Sequence, residues 1–116
     1  MNPRLYRVLL AVALIFAVTM ALLPHPPQVP TDRFGDKFNH MLAFAMLAWL
    51  AAKGFPTASL PRIGERLSFL GALIEVMQAI PALHRDCDIR DWIADTLAIA
   101  AMLLVVWAVR RRRAAT

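Results

Sequence analysis

The sequence predicts an all-α integral membrane protein, a bundle of four transmembrane helices with both termini in the cytoplasm. Its 116 residues are 59% hydrophobic and have a mean hydropathy of +0.55, too apolar to cover a folded domain with a water-compatible surface. The apolar residues form four stretches of near-bilayer length, separated by segments rich in proline and charge. We therefore expect a single membrane domain over residues 1–116.

The first predicted helix covers residues 5–23 and ends at Pro24. Residues 24–30 predict an extended surface linker, because each proline lacks an N–H donor and restricts the residue before it. A cleaved signal peptide is the alternative interpretation, since Arg4 and Arg7 precede an apolar core. The core is long for that role and its end offers poor cleavage sites, which favours a retained helix.

The second and third predicted helices cover residues 38–55 and 63–80. Each would be about 27 Å long, close to the thickness of the hydrocarbon core of a bilayer. Pro56 and Pro61 mark a short turn between them. A short connection of this kind predicts two antiparallel helices that are neighbours in the bundle.

Pro81 ends the third predicted helix and opens a polar loop. The fourth predicted helix covers residues 91–109, with Trp92 and Trp107 near its two ends, where indole rings favour the membrane interface. The chain has one cysteine, Cys87. A disulfide framework within the chain is therefore excluded, and so is a Cys-x-x-Cys metal or redox motif.

The basic residues predict the orientation of the bundle. With cytoplasmic termini, nine of the thirteen lysines and arginines lie on the inner side and four on the outer side, as the positive-inside rule requires. The run Arg110–Arg113 follows the last apolar stretch directly, a position typical of an anchor beside anionic lipid. The basic residues form no stripe along a soluble helix, so they do not indicate nucleic-acid binding. We expect a multi-pass protein of the plasma (inner) membrane, with the lipid bilayer as its partner.

Nine polar residues fall at the outer end of the predicted bundle. They are Asp36, Lys37, His40, Glu75, Gln78, Arg85, Asp88, Asp91 and Asp95. A charge at the middle of a transmembrane helix costs about 2.5–3.5 kcal/mol on insertion scales, so ionisable residues inside a span usually mark a functional site. The sequence thus predicts an outward-facing polar site.

Of these nine residues, Glu75 is the one whose predicted position is least compatible with contact with water. It lies about 9 Å below the predicted outer end of the third helix, and Gln78 lies on the same side of that helix. Glu75 and His40 are the candidate general acid and base. Lys37, Gln78 and Arg85 are the candidate substrate-binding residues, with the two cations suited to a phosphate or a carboxylate.

The aspartates have orienting or helix-capping roles in this interpretation. Asp36 stacks on the same helix face as His40, four residues on. Asp91 and Asp95 lie at the start of the fourth helix, where free backbone N–H groups favour carboxylates. A simple N-cap formed by Asp88 or Asp91 is the alternative reading of those two residues. A hard cation held by Asp91, Asp95, Glu75 and His40 is an alternative, but no motif fixes the spacing of a metal site. The sequence identifies no cofactor.

Three short elements, in order along the chain, resemble the VanZ-like family of small polytopic membrane proteins. Asp36, Lys37 and His40 are similar to the family's DK-x-x-H element. Glu75 and Gln78 are similar to its E-x-x-Q element, and Arg85 and Asp91 to its R-x5-D element. The resemblance covers about residues 36–104. The chain departs from the family at Asp95, where an asparagine is frequent, and at Ala98 and Ala101, where glycines are frequent.

The family takes its name from a protein associated with resistance to teicoplanin, an antibiotic that acts on outward-facing cell-wall precursors. The resemblance therefore implies a role in the cell envelope and in antibiotic resistance. The outer site would bind or act on an envelope precursor or a lipid head group. Two classes of function stay open: an enzyme acting on a lipid-linked substrate, and a non-catalytic scaffold or protein-binding membrane protein whose ionic cluster is structural. A transporter is disfavoured, because the polar residues leave no path through the inner half of the bundle.

Overall fold

The computed structural model describes residues 2–23, 35–80 and 88–115, apart from the side chain of Asp36. The regular structure of these residues consists of helices α1 (Pro3–Leu22), α2 (Asp36–Gly54), α3 (Leu60–Gln78) and α4 (Ile89–Ala115). The prediction of an all-helical protein with four helices is confirmed over these described residues. α1 and α4 are long and apolar enough to cross a membrane, judged by length and composition.

α3 begins earlier than the sequence analysis predicts. Pro61 lies inside its first turn, and the Ser59 hydroxyl caps the helix by accepting a hydrogen bond from the Arg62 backbone N–H at 3.2 Å. The predicted start at residue 63 is therefore wrong by one turn. Proline fits the first turn of a helix because the N–H that it lacks would have no partner there.

α2 and α4 each begin two residues before their predicted starts at 38 and 91. α2 follows Gly35, whose φ of 97° is a backbone conformation that favours glycine. At its other end, α4 continues through the arginine run to Ala115, beyond its predicted end at residue 109. Arginine is a good helix former, and cations are favoured near the negative end of the helix dipole.

Contacts near both ends of the bundle show that successive helices run in opposite directions. The Arg7 guanidinium donates to the Gly54 carbonyl at 2.9 Å, which brings the start of α1 beside the end of α2. The Gln78 side chain donates to the Ala21 carbonyl at 2.9 Å, which brings the end of α3 beside the end of α1. α2 packs most extensively against α4 and α1, and α3 packs mainly against α4. α2 is therefore the central helix.

The hydrophobic core surrounds α2, which contributes six of the buried apolar residues. These are Phe44, Leu47, Ala48, Leu50, Ala51 and Ala52. α3 and α4 supply others, such as Ile74 and Ile99. Gly71 on α3 lies between the two neighbouring helices, and a Cβ atom there would be in van der Waals contact with both the Phe44 ring and the Trp92 ring, at 3.4 Å from each.

Candidate functional site

The predicted polar residues that the structure describes lie at one end of the bundle, which we call the polar end. α1 and α3 end there, and α2 and α4 begin there. Within the described ranges, the buried polar or charged residues are Glu75, Gln78 and Asp95, with exposed fractions of 7%, 2% and 3%. Buried polar groups are costly unless they are bonded, so their contacts decide what this end of the bundle can do.

Two contacts between a basic and an acidic side chain connect α2 to α4 at the polar end. The Lys37 ammonium lies 3.8 Å from a carboxylate oxygen of Asp91, with about half of the lysine side chain exposed. The His40 Nδ1 atom lies 4.0 Å from Asp95 Oδ2, and both of these side chains are largely buried. Burial therefore increases over one helical turn, from a solvated pair at the tip to a pair inside the bundle.

Glu75 connects the end of α3 to the start of α4. One carboxylate oxygen, Oε2, accepts a hydrogen bond from the backbone N–H of Asp88 at 3.0 Å. The other oxygen, Oε1, is buried and has no hydrogen-bond partner among the described residues. One of the two carboxylate oxygens thus serves the fold, and the other is left for another donor.

Gln78 reaches α1, a helix that carries none of the predicted site residues. Its Nε2 amide donates to the Ala21 carbonyl at the end of α1, 57 residues away in sequence. Its Oε1 atom is buried and, within the described ranges, has no hydrogen-bond donor. The spacing from Glu75 placed Gln78 on the same side of α3, but no local signal indicates which backbone carbonyl it meets.

Asp88 is the N-cap of α4, one of the two alternatives that the sequence left for this helix start. Its carboxylate accepts from the backbone N–H of Arg90 at 2.9 Å and from the Arg90 guanidinium at 3.4 Å. The backbone hydrogen bond from Arg90 lowers the pKa of the exposed Asp88 carboxyl below its usual value. Asp91, the other candidate cap, instead faces Lys37 across the α2–α4 contact.

Two predicted site residues, Arg85 and the side chain of Asp36, lie outside the part of the chain that the structure describes. Over residues 2–23, 35–80 and 88–115, no three His, Cys, Asp or Glu side chains are grouped closely enough to hold a metal ion.

A second polar layer, which the sequence analysis did not include, lies one to two turns deeper between α3 and α4. The Ser68 and Thr96 hydroxyls are 2.9 Å apart, and the Thr96 hydroxyl also lies within hydrogen-bond distance of the Trp92 carbonyl. The Trp92 indole N–H donates to the Ser68 carbonyl at 3.0 Å. Small hydroxyl side chains at a helix contact are the sequence signal that would indicate such a layer.

The arrangement at the polar end offers acceptors to a ligand more readily than donors. The free buried oxygens of Glu75 and Gln78 accept hydrogen bonds, whereas the Lys37 ammonium faces an aspartate. The pairing of Glu75 with His40 as acid and base stays a prediction.

Comparison of the chain with known proteins found no matching family model, no matching curated protein and no matching solved structure.

Proposed function

We propose that this chain crosses the plasma (inner) membrane four times, with both termini in the cytoplasm and the polar end outside. α1 and α4 meet the length and hydropathy that a span requires. α2 and α3 have 19 residues each, about 28 Å of helix and close to bilayer thickness. Every helix also exposes large apolar side chains, as lipid contact requires; examples are Ile15, Met46, Phe69 and Leu104.

The function that the polar end supports best is binding of a cell-envelope precursor or a lipid head group at the outer leaflet, in the manner of a VanZ-like protein. The observation that carries this proposal is the buried Glu75 Oε1 atom, which has no donor among the residues described. A buried acceptor without a partner costs about 1–3 kcal/mol. A bound ligand that donates to Oε1 would offset that cost.

A non-catalytic scaffold is the second candidate function, and the contacts between helices favour it. The Lys37–Asp91 and His40–Asp95 pairs connect α2 to α4, and Gln78 connects α3 to α1. Ionic groups inside a bundle can select one helix arrangement even where they add little stability. In this role the polar end would present a fixed surface to a membrane-protein partner.

The proposed topology predicts that Cys87, in the segment between α3 and α4, reacts from outside the cell. In intact cells, a membrane-impermeant maleimide is expected to label the chain without prior permeabilisation. The control combines Cys87→Ser with Ala115→Cys, which places the thiol at the end of α4, and is expected to react only after the membrane is opened. Labelling of the control in intact cells would contradict cytoplasmic termini.

Glu75→Gln is expected to abolish the protection against teicoplanin that the unaltered chain should give to cells. Glutamine keeps the shape of the side chain and can still accept from the Asp88 N–H, but it removes the charge at Oε1. The minimal inhibitory concentration of teicoplanin is measured, together with the amount and thermal stability of the protein in detergent.

The matched control is Glu65→Gln, the same change at an exposed position on α3, which is expected to keep full protection. Loss of folded protein together with protection in Glu75→Gln would instead support the scaffold. The binding proposal fails if the unaltered chain gives no protection, or if Glu75→Gln keeps it.

A further inference from the structure

We propose that the polar end binds a primary ammonium group, held between Glu75 and Gln78. The inference rests on the proposed function and specifies the chemistry of its ligand. It rests on two kinds of observation: the buried acceptor atoms that have no donor among the described residues, and the charged side chains that already have partners.

The two side chains present two acceptor oxygens on one side of α3. Glu75 and Gln78 are three residues apart, which places them one helical turn from each other. Their Oε1 atoms are both buried and, in the part of the chain that the structure describes, have no donor. The remaining polar atoms are engaged: Glu75 Oε2 accepts from Asp88, and Gln78 Nε2 donates to Ala21. The amide hydrogen bond orients Gln78 so that its oxygen is the free atom.

Among the described side chains of the polar end, Glu75 is the buried acid with no basic side chain beside it. Three described basic side chains each lie beside an aspartate, in the pairs Lys37 with Asp91, His40 with Asp95 and Arg90 with Asp88, and the histidine carries a charge only when it is protonated. No ion pair of Glu75 is found within the described ranges. A buried carboxylate without a counter-ion is strongly disfavoured. A ligand that brings a positive charge would supply the missing partner.

A primary ammonium has the chemistry that these atoms require. It carries one positive charge and three N–H donors, with no acceptor that would face the two oxygens. A phosphate or carboxylate would bring only acceptors and a second negative charge. A quaternary ammonium has the charge but no N–H group, so it cannot donate to either oxygen.

Two sources could present this group at the outer leaflet, and their shared chemistry is a primary amine. One is the ethanolamine head group of a phospholipid. The other is a free amino group on the peptide or sugar of a lipid-linked envelope precursor. The purified full chain, reconstituted in discs of phosphatidylglycerol bilayer, can be tested with both.

The first arm compares added phosphatidylethanolamine with phosphatidylcholine, measuring the lipid that stays bound by native mass spectrometry. The second arm compares an undecaprenyl-linked peptidoglycan precursor that has a free peptide amine with its N-acetylated form. In at least one arm the free amine is expected to bind at least tenfold more tightly than its blocked counterpart. The arm that shows the preference identifies the source.

Glu75→Gln is expected to reduce that preference at least tenfold, and Gln78→Met is expected to weaken it as well. Glu65→Gln is expected to keep it. Equal binding of free and blocked amines in both arms overturns the inference, because a proton or a water molecule then satisfies the two oxygens. The same conclusion follows if Glu75→Gln keeps the preference while the protein remains folded. Teicoplanin protection without amine preference would overturn this inference alone and leave the proposed function standing.

Discussion

Replacing His40 with alanine is expected to lower the free energy of unfolding by about 3 kcal/mol. The variant removes the imidazole that lies 4.0 Å from Asp95, whose side chain is only 4% exposed. The change takes one partner away from the buried Asp95 carboxylate in a medium of low polarity, which costs far more than a surface pair is worth. Reversible unfolding in mixed detergent micelles would measure the loss.

Lys37→Ala is the matched control, since Lys37 forms the neighbouring pair between the same two helices. Its side chain is 52% exposed and Asp91 is 19% exposed, so water screens the interaction. A loss of about 1 kcal/mol or less is expected. Equal losses in the two variants would contradict the idea that burial, and not pairing as such, makes the His40–Asp95 contact important.

The stability lost in His40→Ala should also return when both members of the pair are replaced by apolar residues. When both members of a buried pair are replaced by apolar residues of similar volume, stability is often unchanged or improved. Combining His40→Leu with Asp95→Leu should therefore unfold at a free energy near that of the unaltered chain. If the double variant is as unstable as His40→Ala, the two residues support the fold through contacts other than their mutual attraction.

Leu47→Ala is expected to lower the free energy of unfolding by about 2 kcal/mol. Leu47 is 2% exposed and lies on the central helix, where the side chains of its neighbours surround it. The value is placed at the lower end of the usual range for buried leucines, because detergent or lipid also solvates apolar groups in the unfolded chain. The remaining cost is the lost packing and the cavity left behind.

Leu42→Ala is the control for this second prediction, since Leu42 lies on the same helix and is 44% exposed. Its truncation removes the same atoms but creates no enclosed cavity, so a change within about 0.5 kcal/mol is expected. The same mixed-micelle unfolding experiment applies to both variants. A larger loss at Leu42 than at Leu47 would contradict the position of the core on α2.

The number of helices and their approximate positions follow from local signals in the chain. Prolines, glycines and charged residues interrupt the apolar stretches, and each stretch becomes one helix. The errors fall at the ends, where local signals compete. Pro61 marks a boundary in sequence yet lies within the first turn of α3, and the arginine run continues α4 although it also ends the apolar stretch.

The candidate site was predictable as a set of residues but not as a set of contacts. Glu75, Gln78 and Asp95 stand out in sequence because polar residues inside apolar stretches are costly, and these three are buried in the structure. Helical spacing also places Glu75 and Gln78 on one side of α3. Spacing within a helix does not reveal the residue that faces them from another helix.

By itself, the sequence determined the helical content, the four segments and the concentration of polar residues at one end of them, because these depend on neighbours within a few residues. Only the tertiary structure decided that Gln78 meets the Ala21 carbonyl and that His40 meets Asp95. Those contacts depend on which helices are neighbours and on how each is rotated about its axis. The packing of side chains over the whole bundle determines both, since a small rotation moves a side chain from one neighbour to another.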